Sequence, residues 1–84
     1  MLKVTRNDAE SGATLMLEGK LSGPWVDELQ KYWAAYAMRP APIRVSLKEV
    51  TYVDGRGRDL LIRMEREGAS LVEASDFIRH VLSD

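Results

Sequence analysis

The sequence predicts an α/β domain. It should be a two-layer sandwich with a four-stranded mixed sheet, an N-terminal antiparallel hairpin followed by parallel strands, and about three helices mainly on one face. Two observations lead there. Short apolar runs with a period of two alternate with longer runs of helical period, the pattern of strand–helix–strand units. Ile43-Arg44-Val45-Ser46-Leu47 alternates cleanly, so even a central strand keeps one wet face, whereas a strand covered on both sides would be apolar throughout. Right-handed crossovers that all advance in one direction then gather the helices on a common face. Arg44, Ser46 and Met16 are expected on the open one.

Taken in order, Leu2 to Arg6 set Leu2 and Val4 against Lys3 and Thr5, a half-buried strand. Asn7-Asp8-Ala9-Glu10-Ser11-Gly12 is turn chemistry, and Ala13 to Glu18 returns as a strand with Leu15 and Leu17 on one face. Together they predict a hairpin with a loose loop. Gly19 to Gly23 connects it to a helix opening at Pro24, where proline forfeits only an N–H that has no intrahelical partner; Ser22 or Gly23 supplies the cap. Asp27 and Glu28 suit the positive end of the helix dipole. Trp25, Leu29, Tyr32, Trp33 and Tyr36 share one helical face and predict its buried side. Arg39-Pro40-Ala41-Pro42 stops this helix, because a residue before proline avoids the α region.

Beyond the alternating strand, Val50 and Val53 anchor a buried strand end and Asp54 caps a second helix. That helix runs from about Arg56 to Glu67, with Gly57, Leu60, Leu61 and Met64 inward and Gly68 just past its end. Ala69 to Ala74 forms the last strand, with Leu71 and Val72 on opposite faces. Ser75 then caps a short helix bearing Phe77, Ile78, Val81 and Leu82.

The chain's 84 residues suffice for one domain, residues 1–84. Stability of roughly 5 kcal/mol is expected at this size. Twelve Lys and Arg against thirteen Asp and Glu leave a net charge of −1, which gives no long-range pull toward nucleic acid or an anionic membrane. The chain has no cysteine, which excludes disulfides, thiolate chemistry and Cys-type zinc sites and suits a reducing cytoplasm. No apolar run approaches about 18 residues, and no basic-then-apolar leader opens the chain. A cytoplasmic protein is expected, with neither membrane nor nucleic acid as partner.

The densest signal is Val50-Thr51-Tyr52-Val53-Asp54-Gly55-Arg56-Gly57-Arg58-Asp59-Leu60-Leu61: strand end, glycine-loosened bend, first turn of a helix. Leu47-Lys48-Glu49 and this stretch through Gly57, then Leu60-Leu61, resemble the signature of STAS domains, the fold of anti-sigma factor antagonists. That signature is a strand, a short turn, alternating apolar residues, Asp, two small residues (often Ser-Ser), Gly and an apolar helix. The similarity extends from about Leu15 to Leu82 and is strongest between Leu47 and Ser75. It implies a STAS-like fold, a non-catalytic role in bacterial signalling, and a protein partner of the anti-sigma-factor kind. In the family the partner surface surrounds the corner after the Asp and the helix that follows. Here it corresponds to Asp54, Gly55, Arg56, Gly57, Arg58, Ile62 and Arg66. One departure changes what is implied about regulation. The family's phosphoacceptor serine is Gly55 in this chain, and Arg56 follows it. Phosphorylation adds roughly −2 charge and breaks the family's partner complex by repulsion and desolvation; without a hydroxyl at 55 that switch is expected to be missing or displaced.

Other constellations have plain explanations. His80, the single histidine, falls between apolar pairs of the last helix and reads as a solvated imidazole. Asp54 and Asp59 stand where a helix start favours acids, and Glu65 and Glu67 alternate with Arg63 and Arg66 as a wet helix face. No nucleophile, base and orienting group converge, so no catalytic residue, metal ligand or cofactor is expected. Trp25, Tyr32, Trp33 and Tyr36 could stack bases, but their spacing marks a core and the helix adds only Lys31 and Arg39. Gly55-x-Gly57-x-x-Leu60 with Glu73 further on matches part of a dinucleotide fingerprint and lacks its third glycine.

Arg56 and Arg58 are odder, since two cations at a helix N-terminus oppose the dipole by about 0.3–1 kcal/mol each. Asp54 and Asp59 could neutralise them, or an acidic partner segment or a phosphate could dock there. Ile62 projects nearly opposite the Leu60–Leu61–Met64 stripe, an exposed apolar residue beside the corner. Two alternatives stand beside the protein-binding reading. One is a homo-oligomeric scaffold, a homodimer at simplest, pairing through the open sheet face or an edge strand. The other is a nucleotide or anion sensor at Gly55–Arg58.

Overall fold

A computed structural model describes residues 1–9, 12–36 and 43–83. Strands β1 (Leu2–Ala9) and β2 (Gly12–Leu21) pair antiparallel, with Val4 opposite Leu17 and Ala9 opposite Gly12. Helix α1 (Pro24–Tyr36) precedes β3 (Ile43–Val53), α2 (Gly55–Arg66) precedes β4 (Ala69–Val72), and α3 (Asp76–Ser83) follows. β3 and β4 add in parallel, so the sheet order is β1-β2-β3-β4. The predicted four-stranded mixed sheet with its hairpin, parallel strands and helical layer is what forms.

The core lies on one face of that sheet. Leu15 and Leu17 of β2 and Val45 and Leu47 of β3 are fully buried, clustered with Val26, Leu29 and Trp33 of α1, Leu60, Leu61 and Met64 of α2, and Ile78 of α3. On the other face Met16 and Arg44 are exposed as expected, but Ser46 is buried at 1% exposure. Its register explains this: Ser46 sits between Met16 and Val72 on the flanking strands. Larger neighbours cover a small side chain, and the Ser46 hydroxyl donates to the Glu73 carboxylate at 3.3 Å. Alternation tells which face a side chain points to, not how far it stands out.

Local readings shift in three places. Asn7, Asp8 and Ala9, turn-like in composition, are paired with Thr14, Ala13 and Gly12, and Gly19 to Leu21 are likewise held in the ladder with β3. Glu10 and Ser11, and the helix stop at Arg39-Pro40-Ala41-Pro42, lie outside the described residues. The buried face of α1 is Val26, Leu29 and Trp33, with Trp25 half-buried and Tyr32 43% exposed. The stripe is rotated from the one the aromatics suggested because α1 must meet both β2 and α2.

In β3 the inward residues are Ile43, Val45 and Leu47, then Val50 and Val53. Two register shifts in the β2–β3 ladder, between Met16 and Glu18 and between Gly19 and Lys20, each give β3 an extra residue. The inward period therefore lengthens from two to three, as bulges require. The bulged strand ends at Val53 and delivers Asp54 to the start of α2.

Candidate functional site

Asp54 has an extended backbone (φ −84°, ψ 179°) and caps α2. Its Oδ1 accepts from the Gly57 amide at 2.7 Å and its Oδ2 from the Gly23 amide at 3.0 Å. Its own amide donates to the Leu21 carbonyl at 3.1 Å. One carboxylate therefore fastens the β2–α1 connection to the β3–α2 connection. The Gly23 amide foremost, then the Gly57 amide, holds the carboxyl below its ordinary pKa of 3.8. Partial burial works against them and the Arg56 charge assists.

The two glycines differ in kind. A Cβ on Gly57 would lie 2.7 Å from the Leu21 carbonyl oxygen and 2.9 Å from Leu21 Cγ. Gly57 is thus glycine so that α2 can press on the end of β2. Gly55 is exposed, and a Cβ there would meet nothing within 4 Å. A small side chain would therefore fit at 55, and the position is accessible.

The arginines are also unlike. Arg56 is exposed and its Nη2 lies 2.7 Å from Asp27 Oδ1 on α1, so its direct ion pair is made with the neighbouring helix, while Asp54 acts on it only through the nearby charge. Arg58 turns inward: Nε donates to the Val81 carbonyl at 2.9 Å, in the last turn of α3, and Nη1 pairs with Asp59 at 3.3 Å. A cation on terminal carbonyls is favoured by the dipole of α3, which offsets its unfavourable place on α2. Ile62 is half-buried, not exposed, and lines a cleft of about 420 Å³ with Leu71, Ala74 and Leu82 between α2, β4 and α3. Arg66 is exposed in the last turn of α2, about 15 Å along the axis from Arg56. The structure therefore brings Asp54, Gly55, Arg56, Gly57 and Arg58 together and sets Ile62 and Arg66 along the helix.

Sequence reasoning missed Gly23, Asp27 and Val81 as partners of this corner, and Arg63 beside it. It also read Glu67 as solvated, whereas its carboxylate accepts from the Trp33 indole N–H and joins α1 to the end of α2. Only the Asp27–Arg56 charge pair had a signal in composition, and many acids were available to choose from. Among the described residues no three His, Cys, Asp or Glu side chains are grouped as a metal would need. No helix among them is long and apolar enough to cross a membrane.

No protein-family model matches the sequence, and no curated protein does. Solved structures match in shape. The anti-sigma factor antagonist SpoIIAA in its unphosphorylated form aligns with a TM-score of 0.75 at 18% identity, over 99% of this chain and 82% of that one. An anti-sigma-factor antagonist STAS domain from Rhodobacter sphaeroides aligns with a TM-score of 0.57 at 20% identity, over 92% and 95% of the two chains. Identity this low speaks for the backbone alone. The chain has the STAS-like α/β fold of these anti-sigma factor antagonists.

Proposed function

We propose that this chain is a non-catalytic protein-binding module of the anti-sigma-factor-antagonist kind, without a phosphate switch at the usual position. Its docking surface is the Gly55–Arg56 corner, shaped from behind by Asp54, Gly57 and Arg58 and extended along α2 by Ile62 and Arg66. The observation that carries this reading is the contrast at the bend. Asp54 and Gly57 are committed to internal contacts that fix its shape, while Gly55 and Arg56 face solvent. A rigid, exposed corner suits docking, because little order has to be bought on binding. The chemistry of Asp54 argues against catalysis: its carboxyl is held ionised and both oxygens are engaged by amides, so it is poorly placed to carry a proton. Bacterial signalling and a cytoplasmic setting follow from the same likeness and belong to the proposal.

The test uses the open space at Gly55. Gly55→Trp and Arg56→Glu should keep the fold, checked by circular dichroism, and should each deplete a partner protein that the natural chain captures, read by quantitative mass spectrometry. Equal capture by all three baits would reject the corner. A family-type anti-sigma kinase should leave the chain unphosphorylated, and a phosphopeptide covering Thr51 or a nearby serine would contradict the missing switch.

A further inference from the structure

Beside the corner, residues of α1 and α2 line a groove of about 300 Å³: Val26, Gln30, Arg56, Asp59, Leu60 and Arg63. Val26 and Leu60 form a nearly buried floor. Arg56 and Arg63 stand seven residues apart on one face of α2, about 10 Å along its axis. Arg63 is exposed and, among the described residues, its side chain has neither an ion pair nor a hydrogen bond. Arg56 spends one donor on Asp27 and keeps the rest of its guanidinium toward solvent.

We propose that this groove binds an acidic protein segment, whose two carboxylates, about 10 Å apart, pair with Arg56 and Arg63 while Asp27 gives way. The inference rests on the docking-corner reading and names its partner's chemistry. Carboxylates suit the groove better than a nucleic-acid backbone. Asp27 and Asp59 are interspersed with the arginines on this surface, which a continuous phosphodiester would have to pass, whereas discrete acids can be spaced to miss them. Asp27 acts as a resident competitor. It occupies Arg56 in the free chain, so a partner's carboxylate must share or replace it, and removing Asp27 should strengthen binding.

The experiment measures fluorescence anisotropy with the full chain. The probe is a labelled Ala-rich helical peptide of about 16 residues with two glutamates seven positions apart, which places both on one face. The control peptide has the same composition with one glutamate moved to the opposite face. The paired peptide should bind about fivefold tighter than the control at low salt, the ratio falling toward one near 0.5 M salt. Arg63→Glu should erase that difference, and Asp27→Asn should tighten the paired peptide about twofold. Both residues are exposed, so the fold is not at risk. Equal binding of the two peptides, no binding up to about 1 mM, or indifference to Arg63→Glu overturns the groove. Tighter, Arg63-dependent binding of a single-stranded oligonucleotide overturns it in favour of a polyanion site. A captured protein lost on Gly55→Trp but kept on Arg63→Glu would also overturn the groove while leaving the corner in place.

Discussion

The Gly23 amide donates to Asp54 Oδ2 at 3.0 Å across 31 residues of chain. The other oxygen of the same carboxylate caps α2 through Gly57. An N-cap normally serves its own helix; this one also sets where α1 begins, so the two helix starts that flank the corner are positioned by a single side chain.

That arrangement has a pH consequence. The folded-state pKa of Asp54 lies below its ordinary value of 3.8. Its contribution is therefore fully present above the unfolded value and is lost as pH falls through the folded one. Urea midpoints taken from about pH 6 down to about pH 2.5 should fall on the acid side, and Asp54→Asn should flatten that fall. If the two pH profiles stay parallel, Asp54 is not the linked group.

Gly57 and Gly55 should respond oppositely to alanine. Gly57→Ala drives a methyl into the Leu21 backbone and side chain, and overpacking of that kind costs about 1–3 kcal/mol. Gly55→Ala meets open space and gains helix propensity of up to about 1 kcal/mol. Chemical denaturation of both variants decides it. A stable Gly57→Ala would mean α2 can move off β2 without loss.

Arg58→Ala should cost about 1–2 kcal/mol by removing the bond to Val81 and leaving that carbonyl without its partner. The loss should appear as faster amide exchange in α3, with α1 little changed. Arg56→Ala, which breaks an exposed pair, should cost less than about 1 kcal/mol. Equal effects of the two would deny the distinction between an inward clamp and an outward contact.

Glu67→Ala should strand the indole N–H of buried Trp33 and cost about 1 kcal/mol or more. Glu67→Gln keeps an acceptor and should recover most of that. The check is the unfolding midpoint together with the Trp fluorescence maximum, compared against the natural chain. Matching losses in Ala and Gln would assign the effect to charge instead.

What the residues settled unaided was whatever depends on near neighbours in the chain. The order of strands and helices, the one-sided alternation at Ile43–Leu47, the Asp54 cap, proline opening α1 and Gly68 past α2 each rest on a few adjacent positions, because backbone sterics and helical or pleated periods act over one or two turns. Contact between distant segments decided the rest. Val26 rather than Tyr32 faces inward because α1 is wedged between β2 and α2; Ile62 lines a cleft because β4 and α3 fold over that side of α2. Asp54 with Gly23, Arg56 with Asp27, Arg58 with Val81 and Trp33 with Glu67 join residues 23 to 34 positions apart. Composition offers each of those groups many partners, and only the packed chain selects one.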